Sequence, residues 1–281
     1  VKLAAVTVDG VRRAGVVEED SIALLSTTVD DIVRGAPMGT HGEVLPLAEV
    51  RLEAPLHRFN RDILCTGWNY LDHFLESSGK REGQGPAEMP LRPTFFTKGP
   101  DTVIGPSDDI AYDPEISAKW DYEAEIAMVI GRDGRSIPEE KALDHVFGFL
   151  VANDVSQRDL QRAHGGQWLK GKSLDATMPL GPWITTADSV DLTDMQVQCE
   201  VNGVLLQNAS SAQMAFSFTR IIAELSHGMT LRAGDVILTG TPSGIGAARE
   251  PQLFLHDGDV VVTRVSGLGE LRNTVTLTEL S

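Results

Sequence analysis

Cysteine is nearly absent from this chain: Cys65 and Cys199 are the only two in 281 residues, far apart and in no metal-binding spacing. That excludes a disulfide scaffold, and a reduced, cytoplasmic protein is the simple expectation. No HExxH or CxxC pattern occurs, so zinc is a poor fit. No apolar run approaches the length that spans a bilayer, and no membrane partner is expected. The first residues, VKLAAVTVDG, read as a strand and turn and not as a cationic region before an apolar block, so no signal peptide is expected. Positive charge is also scarce. Against 40 Asp and Glu stand 24 Lys and Arg, a formal net charge of −16 that repels phosphate backbones and argues against nucleic acid. The whole-chain charge does not decide the site, because a few cations in a cleft still attract a small anion.

What is present is an ordinary globular composition. Hydrophobic residues make up 42% and charged residues 23%, enough for a full core. Residues 1–57 read as a small β-rich domain: VKLAAVTVDGVRRAGVV alternates around Asp9-Gly10, a pair that favours a tight hairpin, and the module closes near Pro55. Residues 58–281 form the larger unit. In it QVQCEVNGVLLQN predicts a second hairpin at Asn202-Gly203, and DVILTGTPSGIG runs from a strand into a glycine-rich loop. Phe218, Ile221, Ile222 and Leu225 fall on one helical face, with Gly228 as the stop. Strands outnumber helices and do not alternate with them, which predicts an α+β, mainly β protein with a rolled or sandwiched sheet. SSGKREGQGPAEMPLRP, from Ser77 to Pro93, reads as a mobile loop.

WDYEAEIAMVIG carries the strongest chemical signal. Tyr122, Ala124, Ile126, Met128 and Ile130 alternate as the buried face of a strand, which puts Glu123 and Glu125 side by side on the other face. Neighbouring carboxylates repel unless a cation compensates them or one takes up a proton. A solvated strand face fits this spacing equally well. VFGFLVANDVSQRDLQ then predicts a buried strand ending at Asn153-Asp154 and a helix capped by Ser156. Asp154 alone fits a turn or capping aspartate. Three carboxylates with no His or Cys pattern nearby form a hard-oxygen site suited to Mg²⁺ or Mn²⁺.

Other segments could work beside that site. His73 and Glu76, at i and i+3, share a face if the segment is helical, and a carboxylate can tune an imidazole as a general base. An ordinary surface pair has the same spacing. Arg158 and Gln161 also share a face, and Arg158 could clamp a substrate carboxylate, or be a plain helix-surface arginine. Gly166–Ser173, GQWLKGKS, matches the phosphate-loop pattern, but polar residues precede it, and Pro179, Gly181 and Pro182 interrupt the segment after it. A phosphate loop needs a buried strand before it and a helix after it, so that reading is rejected. Lys172 remains as a cation for an oxyanion. The TGTPSGIG loop lacks dinucleotide spacing, yet its amides could meet a small anion.

In this order, GWNYLDHFLE, PTFFTKGPDTVIGP, DYEAEIAMVIG, NDVSQRDLQ, WLKGKSLDATMPLGPW, VNGVLLQ and ILTGTPSGIG resemble the fumarylacetoacetate hydrolase family over about residues 60–275. The similarity is to its bacterial branch of acylpyruvate hydrolases, oxaloacetate decarboxylases and 2-hydroxyhepta-2,4-diene-1,7-dioate isomerases. The resemblance implies a mixed β-sandwich roll, a homodimer, and one Mg²⁺ or Mn²⁺ per subunit on Glu123, Glu125 and Asp154. It implies a lid on which His73 and Glu76 activate water, and Lys172 against developing negative charge. It also implies that Arg158, Gln161 and the Gly240-Thr241 loop hold a carboxylate of a small 2-oxo or diketo acid. It gives residues 1–57 no role. Hydrolysis of a C–C bond in a 3-acylpyruvate-like diketo acid is the first expectation, because both lid residues are present. Isomerisation and decarboxylation at the same site are the alternatives, and a nucleotide-binding P-loop protein is a remote one.

Overall fold

The computed structural model describes residues 1–79 and 86–280. Six residues of the expected Ser77–Pro93 loop, 80–85, lie outside the described residues. Both expected hairpins form. Asp9 and Gly10 have φ of 52° and 74°, and Asn202 and Gly203 have 51° and 78°, the double left-handed turn that matches strand twist.

The larger sheet runs His41–Pro46, Ser21–Leu25, Val11–Glu18, Lys2–Val8, Met178–Thr186, Val146–Asn153, Ala124–Ile130, Val236–Leu238, Ile63–Gly67, Thr94–Lys98. The first four of these are N-terminal, and they join the rest through Lys2–Val8 against Met178–Thr186. A second sheet has Val204–Ser210, Gln196–Val201, Val260–Val265, Gly269–Leu277 and Ile110–Tyr112. Most pairs are antiparallel, but Val236–Leu238 runs parallel to Ile63–Gly67 and Gly269–Leu277 parallel to Ile110–Tyr112. The fold is the mixed, mainly β architecture expected.

Two apolar layers explain the arrangement. Ile126, Met128, Phe149, Val151, Val197, Val261 and Leu271 fill the space between the sheets, joined by Phe218, Ile221 and Ile222 of the helix Phe218–Ser226. Ala127, Val129, Leu150 and Leu180 pack on the opposite face with Val29, Ile32 and Val33 of the short helix Val29–Val33. The strand Ala124–Ile130 is therefore buried on both faces, and the solvated face allowed by its alternation does not exist. Three of its residues pair with Val236–Leu238 on one side and the whole strand with Val146–Asn153 on the other. Carboxylates at its start sit on a rigid, dry support.

Candidate active site

Strand register brings the three expected carboxylates together. Ala124 lies opposite Asn153, so Glu123 and Asp154 continue the ladder as neighbours at its end. The Asp154 N–H donates to the Glu123 carbonyl at 2.9 Å, and the Glu123 N–H donates to Asn153 Oδ1 at 3.0 Å. Glu125, two residues along on the same face, stands opposite the small Ala152. One oxygen of each of Glu123, Glu125 and Asp154 falls within 4.8 Å of the others, and all three side chains are buried.

Cations occupy the same space. Lys172 Nζ donates to Glu123 Oε2 at 2.8 Å and to Asp154 Oδ2 at 2.7 Å. Lys98 Nζ lies 3.0 Å from Asp154 Oδ1 and donates to the Val155 carbonyl at 2.9 Å. Arg158 Nη2 lies 2.7 Å from Glu123 Oε1, while its Nε donates to Asp121 Oδ2 at 2.8 Å. The Lys98–Asp154 and Arg158–Glu123 contacts are close as ion pairs but poorly aimed as hydrogen bonds. Lys98 and Asp121, both fully buried, carry no sequence pattern that marks them as part of the site. A lysine closing the apolar strand TFFTK is the nearest to a signal for Lys98.

These neighbours divide the carboxylates. Burial alone would raise Glu123, but Lys172, Arg158 and His73 outweigh it and hold the group down to about 2. Burial, followed by Asp154 and Glu123, drives Glu125 well above the ordinary carboxylate range. Glu125 makes no ion pair among the described residues, and Oε2 accepts only the Gly240 N–H, at 2.6 Å. Burial lowers Lys98, whereas Asp154 and Glu123 overcome burial at Lys172 and raise it. Four buried acids, Asp121, Glu123, Glu125 and Asp154, thus face three buried cations, Lys98, Arg158 and Lys172. A proton on Glu125 balances the cluster without a metal.

That surplus is the test of whether a divalent cation fits. Three hard oxygens converge, one of them on a carboxyl that burial and its acidic neighbours push well above the ordinary range, and an ammonium bridges the other two. The donor set suits Mg²⁺ or Mn²⁺. A buried charge cluster of this kind adds little to stability.

Two expected carboxylate clamps are otherwise engaged. Arg158 is committed to Asp121 and Glu123, with Nη1 donating to Gln161 Oε1 at 3.2 Å, and does not present a free fork. The Gly240 N–H is spent on Glu125. Thr241 Oγ1 donates to the Ala124 carbonyl at 3.0 Å and accepts from Gln207 Nε2 at 2.8 Å. These groups hold the acids in place. Arg158, Gln161 and Thr241 nevertheless line the pocket above the cluster. The helix expected after Asp154 spans Arg158–Ala163, but Gln157 precedes it without a side-chain cap, and Ser156 instead bonds back to the Asp154 carbonyl. Gly166–Ser173 comes after that helix and contains one short turn, Leu169–Gly171, which is not the strand–loop–helix of a phosphate site.

His73 and Glu76 do fall on one helix, Leu71–Glu76, with His73 Nδ1 2.9 Å from Glu76 Oε1. Glu76 Oε2 accepts the Gly244 N–H at 2.8 Å, tying this helix to the glycine-rich loop. An ionised carboxylate can only accept, so in the neutral imidazole this contact places the proton on Nδ1 and leaves Nε2 free to accept. His73, Trp68, Trp168 and Phe96 line the same pocket as Glu123, Glu125 and Lys172. Asp121 anchors its far wall, accepting the Gly246 N–H at 2.7 Å and the Ala247 N–H at 3.0 Å. Asp121→Asn leaves Arg158 short of a charge and should cost about 1.5–3 kcal/mol, the worth of charged hydrogen bonds. Urea unfolding at neutral pH measures it, and an unchanged midpoint would remove Asp121 from this account.

A mainly β fold with buried acids, lysines and a His–Glu pair around one pocket defines an enzyme site. The chain belongs to the fumarylacetoacetate hydrolase family: residues 62–276 match the family described as fumarylacetoacetate (FAA) hydrolase C-terminal. Residues 2–55 match an N-terminal family described as Rv2993c-like. The oxaloacetate tautomerase YisK of Bacillus subtilis is 42% identical over 82% of this chain and 74% of its own length. The solved fumarylacetoacetate hydrolase of Exiguobacterium antarcticum shares 38% identity at a TM-score of 0.87, covering 99% of both chains. A 5-carboxymethyl-2-hydroxymuconate delta-isomerase from Mycobacterium smegmatis shares 31% at 0.82, covering 99% of this chain and 100% of that one. No helix among the described residues is long and apolar enough to cross a membrane.

Proposed function

We propose that this enzyme interconverts the keto and enol forms of a small 2-oxo acid of the oxaloacetate type, with a divalent cation on Glu123, Glu125 and Asp154. The observation that carries the reading is one pocket in which a buried ammonium, Lys172, stands beside the acids and a carboxylate-backed imidazole, His73, faces the same space. The 42% identity to oxaloacetate tautomerase YisK supports the choice of reaction. Glu123, Glu125 and Asp154 would hold the cation, which would supply Lewis-acid polarisation of the 2-oxo acid.

His73 Nε2 takes a proton from C3, and the C–H electron pair becomes the C2–C3 double bond as charge moves to the C2 oxygen. Lys172 faces that developing charge. The imidazolium returns its proton to the oxygen, so none is consumed overall. Residues 58–281 carry this chemistry, and residues 1–57 brace the sheet behind it. Assembly as a homodimer, in the cytoplasm, belongs to the same reading.

Hydrolysis of a 3-acylpyruvate is the second reading, favoured by the same Nε2, which can take a proton from water instead of carbon. Both readings are separated by following enol absorbance with oxaloacetate and cleavage with acylpyruvates, each with Mg²⁺, Mn²⁺ or EDTA. Metal-dependent acceleration of ketonisation is the expected result. Cleavage of acylpyruvates without any effect on ketonisation would replace the first reading by the second.

A further inference from the structure

Trp68 holds an unusual backbone position between the strand Ile63–Gly67 and the helix that bears His73. Its φ is +56°, a left-handed conformation that is strained for a residue bearing a side chain. The flanks enforce it. Asn69 Oδ1 accepts the Phe216 N–H at 2.7 Å, Asn69 Nδ2 donates to the Thr239 carbonyl at 2.7 Å, and Tyr70 bridges Met214. Such strain persists where the surroundings over-determine it, and it concentrates at functional sites.

The conformation delivers the indole to the helix. Trp68 stacks on His73 with centroids 5.6 Å apart and planes 25° from parallel, and it meets Phe74 edge-on at 5.8 Å. Trp168 meets it edge-on at 5.4 Å and 80°. A Cβ on Gly67 would come within 2.7 Å of the Trp168 ring, so the glycine makes room for this contact. Glu76 fixes one edge of the imidazole, and an edge contact alone leaves rotation about the hydrogen bond open. A stacked ring closes that freedom.

We propose that Trp68 is a positioning residue that sets the plane of the His73 imidazole and so aims Nε2 into the pocket. The proposal rests on the reading of His73 as the base. Trp68→Leu should lower kcat for ketonisation about 3- to 10-fold, the usual worth of an aromatic pair, with KM little changed. Trp68→Phe, which keeps a flat ring, should recover most of the loss. Because the effect passes through His73, adding Trp68→Leu to His73→Ala should cost nothing further. Losses that multiply in the double variant, or a Phe variant no better than Leu, would overturn the proposal.

A second measurement does not need turnover. The His73 Cε1–H proton resonance, identified by its loss in His73→Ala, should be displaced upfield by the indole and return toward the free-histidine position in Trp68→Leu. No displacement in the unaltered protein would overturn the stacking itself. Displacement in a protein inactive on every 2-oxo acid would instead fault the proposed reaction and leave the placement of His73 standing.

Discussion

Glu125→Gln should abolish divalent-cation-dependent turnover while raising the melting temperature of the cation-free protein at neutral pH. Both effects come from one geometry. Glu125 is buried, faces two other carboxylates and makes no ion pair among the described residues, so burial and these acidic neighbours drive its carboxyl well above the ordinary range. In the unfolded chain it releases its proton near the usual value of about 4.3. Below that pH the group is protonated in both states and costs nothing. As pH rises past it, the folded state keeps a proton that the unfolded state gives up, so stability falls until the folded value is passed. Glutamine carries no such penalty, and its advantage should appear above about pH 4.3 and grow toward neutrality. A gain of 1 kcal/mol corresponds to roughly 2–4 °C in a large domain. The unaltered protein should gain stability when Mg²⁺ or Mn²⁺ is added, and the variant much less. Thermal scans from pH 4 to 8, with and without cation, test every part. Equal metal stabilisation of the two proteins, or full turnover by Glu125→Gln, would remove Glu125 from the cation site.

How much of this was legible in sequence depends on whether the signal is local. The hairpins at Asp9-Gly10 and Asn202-Gly203 were readable because two adjacent residues dictate a left-handed turn. The helix Phe218–Ser226 was readable from its apolar face. Glu123 and Glu125 were visible as a pair. That both faces of their strand are buried was not, because Ala127 and Val129 pack on a layer built partly from residues 29–33. The structure brings Lys172 and His73 to one pocket, with Asp154 and Glu76 bonded to them. The cations were harder. Lys98 reaches Asp154 from a strand 56 positions earlier, and Asp121 anchors both Arg158 and the loop at 246–247. The helix position of Arg158 is visible in sequence, but the two acids that hold it are not. Trp68 carries no pattern at all; its role depends on a backbone angle and a ring contact.

His73→Ala and Lys172→Met should damage three reactions in different proportions, and that difference assigns their roles. Ketonisation and acylpyruvate hydrolysis both need a proton moved by a base, from carbon in one case and from water in the other. Loss of the base should cost each on the order of 10²–10⁴-fold. Decarboxylation of oxaloacetate releases CO₂ and leaves an enolate without any base taking a proton, so His73→Ala should spare it by comparison. Lys172 is needed wherever negative charge develops on the C2 oxygen, which happens in all three. Its removal should depress them together, by about the 10²–10³-fold typical of one oxyanion donor. Methionine keeps most of the side-chain volume, but it also strips Glu123 and Asp154 of a shared partner. Thermal unfolding with saturating Mg²⁺ must therefore accompany the kinetics, so that lost folding is not counted as lost catalysis. The comparison is kcat/KM for each substrate in each variant at matched cation concentration. If His73→Ala depresses decarboxylation as deeply as ketonisation, His73 acts by closing the pocket or orienting substrate. The base would then have to be sought elsewhere in the pocket.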